Sequence, residues 1–505
     1  MEEKFFLKNE YPQQLGKGQF HFSLFLASPV MLFRKLYHFF FLGSISISIA
    51  FIFLLVSNRA FCQFHISGII SDSKSGERLI GANIIEVGTT NGTATDNNGY
   101  FSLIIRKDLV QVSFIGYEPC FLHVSSDTLF FTALNAGQFL NEVVIRGGSS
   151  KRFNMLTLSQ QEMLSIPALG GKPDVLKAMQ MLPGIQSQQE GSSLLSVRGG
   201  SPGENLYLID NVPLIYVNHL GGFASVFNPD MINNIEIYKG GFPAKYGGKI
   251  SSVVAITQRE GDRSKLKGSL GIGVTDVSFD IEGPLLKDKA SFIITGRKTL
   301  IDYLMLAGSS LLDGNEFYAM YGFYDINGKF SWKLKDKNHI YLNFYRGDDY
   351  LKFWNKKTKK NNEEFLMKNI WGNWMVSGRW NTIVSPRFFI DNTLSYNHYR
   401  LDVYESYSSG MKNDTVKFLS DYYSSVNDFS LRSDCQYKLG KNWDVGFGAK
   451  ATILTYVPNK VFLSSSEKNN QYEVIRSNEF SFYQNNLISF SNMANGDIGI
   501  RLVNY

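Results

Sequence analysis

From about Arg263 to Tyr505, apolar and polar residues alternate along strands longer than the ~5–6 residues usual in soluble sheets. Ile340, Leu342 and Phe344 take turns with Tyr341, Asn343 and Tyr345. Phe429, Leu431, Cys435 and Tyr437 (Ser433 set among them) take turns with Ser430, Arg432, Asp434, Gln436 and Lys438. Trp443, Val445, Phe447 and Ala449 do so with Asp444, Gly446, Gly448 and Lys450. A period of two belongs to a strand whose faces differ. Two architectures fit. One is an antiparallel sheet with one wet face. The other is a membrane barrel with an apolar, aromatic-flanked face toward lipid and a polar face inside. A mean hydropathy of −0.12 argues against a bundle of membrane helices and is neutral on a barrel, where alternation averages out.

The N-terminal text favours the barrel. Arg34 and Lys35 lead into an apolar run over 36–56, and Ala60-Phe61-Cys62 offers small residues near a cleavage point before Gln63. The run exceeds a usual signal core and reaches the ~20 residues that span a bilayer, so a single-pass anchor competes with a cleaved signal. His38 and three serines dilute the run, and β-rich text follows, so we read a signal. Arg59-Ala60-Phe61 makes a poor lipobox before Cys62. Residues 1–30 read as an upstream extension, with Met31 as the candidate start.

Between 64 and 124, short segments such as FHISGIIS, LIGANIIEV, TNGTATD, GYFSLIIR, LVQVSFIGY and CFLHV are rich in Ile, Val, Phe and Tyr. Asn91-Gly92 and Asn98-Gly99 are dipeptides that accept positive φ. A strand every ~10 residues predicts a small β-sandwich. Asp96-Asn97-Asn98-Gly99 lacks the later acidic ligand of a calcium loop and reads as a turn. PDVLKAMQMLPGI (173–185) predicts one short helix, with Pro173 in its first turn, Leu176, Met179 and Leu182 on one side, and Pro183-Gly184 stopping it.

Several function classes drop out. A net charge of +6 without a Lys/Arg block does not call for nucleic acid. Three cysteines build neither a disulfide framework nor a four-thiolate zinc site. His-Glu-x-x-His spacing is absent from the sequence. Gly199-Gly200-Ser201-Pro202-Gly203 imitates a nucleophile elbow, but Pro202 lacks the N–H that the oxyanion hole needs. No catalytic residue, metal ligand or cofactor is expected, and the chain is not expected to be an enzyme.

Four pieces occur in order: Leu182-Pro183-Gly184-Ile185, Val197-Arg198-Gly199-Gly200, Tyr207-Leu208-Ile209-Asp210-Asn211-Val212-Pro213, and INNIEIYKGGFPAKYGGKISSVVAITQREGD (232–262). Together they resemble the plug of a TonB-dependent outer-membrane receptor. Asn211 stands where that family commonly has Gly, and Asn also tolerates the left-handed region. The resemblance singles out Arg198, Gly199, Gly200, Asp210, Glu236, Gly240, Tyr246, Gly247 and Gly248 as plug-motif residues. The glycine pairs permit close packing. Arg198 and Glu236 lie next to apolar strands, and charges buried there need partners; in the family such charges bridge to the inner barrel wall. GTTNGTATDNNGYFSL (88–103) resembles the carboxypeptidase-regulatory-like sandwich that precedes many such plugs. Leu140, Asn141, Glu142, Val143, Val144 and Ile145, within LNEVVIRG (140–147), resemble a TonB box, which works by adding a strand to a partner sheet. A last strand of the sandwich is the competing reading of that segment.

The resemblance implies a mainly β fold. After an extension and signal (1–62) come a small N-terminal β-sandwich (63–138), a TonB-box-like linker (139–164), an α/β plug (165–261) and an incomplete antiparallel transmembrane β-barrel (262–505). The barrel part counts about ten strands, where plugged transporters use about 22. We therefore expect an N-terminal part of a receptor, with Arg501 interrupting the alternation near its end. The implied function is energy-coupled uptake of an unidentified small ligand across the Gram-negative outer membrane. The implied partners are TonB with its inner-membrane energising complex, the barrel assembly machinery and outer-membrane lipid. A non-transporting, exported surface-binding β-protein is the alternative.

Overall fold

The computed structural model describes residues 63–137, 155–166, 172–312, 317–355, 363–409, 416–463, 474–491 and 494–505. The signal region and the box-like Leu140–Ile145 lie outside the described residues.

Seven strands open the chain: β1 (Phe64–Asp72), β2 (Asn83–Glu86), β3 (Gly92–Ala94), β4 (Tyr100–Ile105), β5 (Leu109–Ser113), β6 (Cys120–His123) and β7 (Thr128–Leu134). They form a three-stranded sheet, β4-β1-β7, and a four-stranded sheet, β3-β2-β5-β6. The alternating apolar residues meet between them: Ile66, Ile70, Ile84, Phe101, Val110 and Val112 share one buried core. The turn expected at Asn98-Gly99 is present, with Gly99 at φ 62°. Asp96 Oδ1 accepts from the N–H groups of Asn98 and Tyr100 and closes it. Asn91-Gly92 is not such a turn. Gly92 begins β3 opposite Ile85, and the positive φ falls on Gly88.

The second layer contains β8 (Met155–Ser159), β9 (Ile185–Ser187), β10 (Leu195–Val197), β11 (Asn205–Ile209), β12 (Val212–Leu214), β13 (Asn218–His219), β14 (Ala224–Ser225), β15 (Ile232–Tyr238) and β16 (Ser252–Gln258). Its main sheet runs β12-β11-β16-β15-β8, with β11 and β16 parallel. β8 pairs with β15 from Asn234↔Ser159 to Tyr238↔Met155, so this sheet takes in residues that precede 165. Ser159 and Glu162 form a capping box that starts α1 (Gln160–Leu164). The predicted second helix, α2 (Val175–Gln180), is shorter than its sequence signal. Asp174, not Pro173, begins it, because its carboxylate accepts from the Lys177 N–H at 2.9 Å. Leu176 and Met179 are buried as expected, and Leu182 packs against the same core. That core is completed by two side chains from the next layer, Tyr345 and Met375, both fully buried.

The remaining strands form one antiparallel sheet in sequence order: β17 (Lys267–Ile272), β18 (Asp276–Leu286), β19 (Ala290–Thr299), β20 (Phe317–Lys335), β21 (Asn338–Asn355), β22 (Glu364–Ser385), β23 (Phe388–Ser409), β24 (Val416–Gly440), β25 (Trp443–Leu463), β26 (Ile475–Ser491) and β27 (Ala494–Asn504). The sheet has eleven strands against the ~10 expected, and among the described residues β17 and β27 each pair on one side only. A third helix, α3 (Ile301–Leu312), links β19 to β20. No described helix is long and apolar enough to cross a membrane.

Burial in this wall is inverted. On β21, Leu342 is 54% and Phe344 37% exposed, whereas Tyr341, Asn343 and Tyr345 are at most 3% exposed. Phe330, Trp332, Trp380, Phe429, Leu431 and Phe447 also face out, and Asn327, Lys329, Ser377, Arg379, Thr393 and Arg432 are covered. A soluble sheet with one wet face hides its apolar side; this wall hides its polar side, as a lipid-facing barrel does. Arg501 does not break the pattern. Ile498, Ile500 and Leu502 point outward, and Arg501 sits opposite Tyr483 on the inner face.

Candidate functional site: the seam between plug and wall

The second layer lies against the inner face of the wall, and charged groups line the seam. Strand β11 ends in a turn with Asp210 at φ 44° and Asn211 at φ 72°, the left-handed geometry that Asp and Asn tolerate best among residues with side chains. The turn projects Asp210 onto the wall. Lys329 Nζ donates to Asp210 Oδ2 at 2.7 Å and to the Gln258 carbonyl at 2.9 Å, and Asp210 Oδ1 accepts from the Gln258 N–H. Both charged side chains are at most 3% exposed. Asn211 Nδ2 donates to Asp391 at 3.4 Å, and Asn397 Nδ2 to the Pro213 carbonyl at 2.6 Å.

His219, on the β13–β14 hairpin, stands between two wall carboxylates. Its Nε2 lies 3.0 Å from Asp325 Oδ1, and its Nδ1 contacts Asp349. The imidazole stacks on Phe323 with ring centres 4.1 Å apart. Arg297 completes the cluster: Nε donates to Asp325 Oδ2 at 2.8 Å, and Nη2 to the Ser225 carbonyl at 2.7 Å. Burial disfavours the charged ring, but Asp325 and Asp349 outweigh it and raise the imidazole to about 9. At neutral pH His219 is therefore held as a cation between the two carboxyl groups.

Elsewhere along the seam, Arg259 Nη2 donates to both oxygens of Glu282 at 2.8 and 2.9 Å. Asn485 accepts from the Ala244 N–H at 3.0 Å, and Arg501 Nη1 donates to the Ala244 and Lys245 carbonyls at 3.4 and 3.2 Å.

The sandwich occupies the same lumen from one end. Asn98 Oδ1 accepts from Arg379 Nη2 at 2.6 Å and from Asn381 Nδ2 at 2.9 Å. Tyr100 stacks on Phe389 with centroids 4.6 Å apart, and these two share a small core with Ile69 and Ile383. Arg263 Nη1 donates to the Gly76 carbonyl at 2.7 Å, and Arg263 Nη2 lies 2.5 Å from Glu260. These contacts lie beside the tight turn that joins β22 to β23, which fixes the sandwich at the short-turn end of the wall.

The motif residues distribute as follows. Asp210 is in the seam. Gly247 is also there; a Cβ at that position would stand 2.7 Å from Arg501 Nε. Tyr246 is 4% exposed and tilts against Tyr238, with Arg432 of the wall 5.9 Å from its ring. Gly200 lies against Ser251, whose Oγ would be 2.2 Å from a Cβ. Gly199, Gly240 and Gly248 have φ of 81°, 115° and 81°. Arg198 is exposed with φ 50°, and its Nη1 lies near Gly240. Glu236 is half-buried and accepts from the Tyr238 hydroxyl at 3.0 Å. His219, Lys329, Asp325, Asp349 and Arg379 were not singled out from sequence. A signal was there: Asp325, Asn327, Lys329 and Ser331 form a polar row at period two on β20, and buried charges in such a row need partners across the lumen.

Comparison with known proteins fits this geometry. The CarboxypepD_reg-like domain family matches residues 66–145, and the TonB-dependent receptor plug domain family matches 154–253. The TonB-dependent receptor SusC of Bacteroides thetaiotaomicron is 30% identical over 266 residues, 46% of this chain and 25% of SusC. The TonB-dependent receptor P39 of Formosa agariphila is 30% identical over 237 residues, 42% of this chain and 22% of P39. These matches thus span about a quarter of the length of the curated relatives. Among solved structures, Pseudomonas aeruginosa FpvA bound to heterologous pyoverdines superposes with a TM-score of 0.50 at 13% identity, covering 69% of this chain and 51% of that one. The chain therefore carries a CarboxypepD_reg-like domain and a TonB-dependent receptor plug domain beside a wall that buries its polar face, and in this make-up it is similar to TonB-dependent receptors of the Gram-negative outer membrane.

Proposed function

We propose that this chain forms the stoppered entry of an energy-coupled outer-membrane receptor that takes up a small ligand. One observation carries the reading: the plug is tied by buried ion pairs and hydrogen bonds to the polar face of a wall whose other face is apolar. Such polar ties can be exchanged for water and ligand, whereas the apolar contact through Tyr345 and Met375 has no such replacement. The chain does no covalent chemistry in this reading. In this reading the chain divides into sandwich (63–138), TonB-box-like linker (139–164), plug (165–261) and wall (262–505), and the separate sheets of sandwich, plug and wall support that division.

The box-like Leu140–Ile145 lies in sequence between sandwich and plug, so a pull applied there loads both. TonB, driven by its inner-membrane complex, would add a strand to this segment through backbone hydrogen bonds. The barrel assembly machinery and outer-membrane lipid are the further partners of the wall. The test is cross-linking of the full chain to the C-terminal domain of TonB. Val143→Pro removes an N–H and fixes φ, so it should reduce cross-linking strongly, and Val143→Ala should leave it near wild type. Equal cross-linking by the Pro variant and wild type would overturn the box assignment.

A further inference from the structure

The wall carries a seat for the sandwich. On the inner face of β22 and β23, the cross-strand pairs Ser377/Ser395, Arg379/Thr393 and Asn381/Asp391 are polar. The next inward pair, Ile383/Phe389, is apolar and lies at the rim, beside the turn that joins the two strands. A polar lumen gives such a pair no reason to face inward. The sandwich presents a matching pair. Ile69 and Tyr100 face each other across β1 and β4, on the side of that sheet turned away from the core that holds Ile66, Ile70 and Phe101. On a free sandwich they would form an exposed apolar patch. Here the four side chains cover one another and are at most 6% exposed. Both surfaces therefore suit a docked state.

Docking also covers the underside of the plug. Asn233 Nδ2 donates to Glu77 Oε1 at 3.0 Å, Asn234 Nδ2 to Asn97 Oδ1 at 3.2 Å, and the Glu260 N–H to Glu77 Oε1 at 3.3 Å. Where sandwich, plug and wall meet, a polar cavity of about 10 Å³ remains, with Arg78, Asn98, Thr257, Gln258 and Tyr341 among its lining. That is room for about one water molecule.

The sandwich is held less firmly than the plug. Its two ion pairs with the plug are long, Arg78–Glu260 at 3.6 Å and Glu77–Arg259 at 3.9 Å. The plug meets the wall through Lys329–Asp210 at 2.7 Å and Arg259–Glu282 at 2.8 Å. Charge-assisted hydrogen bonds of that length are roughly twice as strong as neutral ones. The sandwich relies instead on long pairs, amide side chains and one small apolar seat.

We propose that the sandwich is a second stopper, in series with the plug at the TonB side of the lumen, and that it leaves its seat before the plug does. Cargo that passes the plug meets the sandwich next, so uptake requires the release of both. The linker joins the two in sequence, and a pull on it frees the weaker seat first. The direction of passage rests on the proposed function. Seating is measured below without TonB or cargo, so the two readings fail separately.

The experiment uses the full chain in phosphatidylcholine bilayers, with its three cysteines replaced by serine. Thr257→Cys reports exposure of the plug underside through labelling by a maleimide-polyethylene glycol too large for the cavity. Hydrogen exchange of the β11 amides reports plug opening. Lys74→Cys, on the exposed surface of the sandwich, gives the labelling rate of an uncovered thiol. Without urea, Thr257→Cys should label at least tenfold more slowly than Lys74→Cys. As urea rises, its labelling should accelerate at a lower concentration than β11 exchange does. Phe389→Ala should speed labelling at least tenfold and leave β11 exchange at the wild-type rate, and Tyr100→Ala, which leaves the wall intact, should do the same. Wild-type labelling as fast as at Lys74→Cys overturns the stopper. Unchanged labelling in both seat variants overturns the seat. Exchange in β11 that rises with labelling, or before it, overturns the order of release.

Discussion

Replacing Lys329 with Met isolates the electrostatic tie between plug and wall. The perturbation removes the cation that faces Asp210 Oδ2 at 2.7 Å and keeps most of the side-chain volume. Asp210 is buried, and its Oδ1 is already committed to the Gln258 N–H. The variant therefore leaves a buried carboxylate with one backbone partner and only the more distant Arg379 as countercharge, and the Gln258 carbonyl loses the Lys329 donor. Breaking a buried pair from one side costs about 3–5 kcal/mol, because the remaining charge is uncompensated. At ~1.4 kcal/mol per tenfold, plug opening should become roughly 10²–10³ times more frequent. Adding Asp210→Asn removes the stranded charge, so the double variant should recover most of the loss. The assay is hydrogen exchange of the β11 and β16 amides in the full chain, where the opening free energy is read directly. If the single and double variants exchange alike, or if the single variant costs under ~1 kcal/mol, the pair does not hold the plug and the seam argument fails.

His219→Gln should loosen the β13–β14 hairpin at pH 6 and have little effect at pH 10. The ordinary His value is 6.5 and the folded value about 9, so the stabilisation is complete below 6.5 and is lost as pH rises through about 9. A pH series of hydrogen exchange checks this, and a difference that grows with pH would refute it. Gly200→Ala should cost about 1–3 kcal/mol of plug stability by denaturant titration, since the stiff Ser251 must move. Gly247→Ala should cost less, because it meets the mobile end of Arg501; the reverse order would show the packing to be misread. Tyr100→Ala removes the ring stacked on Phe389, and should raise protease cleavage of the sandwich without raising exchange in β11. A parallel rise in both would show that sandwich and plug open together.

Period-two alternation made the wall legible. Even the decision between wet sheet and lipid-facing barrel lay in the same residues, but it needed burial: the sequence shows that Tyr341 and Leu342 face opposite ways, not which way is in. Short-range signals located the Asn98-Gly99 turn and α2, and missed the Asp174 cap because Pro173 also fits the start of a helix. Asp210 stood out through its motif. Its partner Lys329 did not, nor did Asp325 and Asp349 opposite His219. Those pairings cross more than a hundred residues and are set by how strand positions fall around a lumen, which no local pattern encodes. Arg501 read as a defect for the same reason, since besides Glu479 and Ser481 of β26 its partners are two backbone carbonyls on another layer.

Tyr345 and Met375 complete the core of the plug although they belong to β21 and β22. The plug is therefore not a finished body that is dropped into a ring. Until β21 and β22 are in place, two apolar side chains are missing from its interior. The dependence also runs in reverse. Any motion that draws the plug away from β21 and β22 opens an apolar seat at its centre, and the plug must slacken as it leaves. Staying seated and staying folded are, for this plug, one cooperative equilibrium, and a force that loosens one loosens the other.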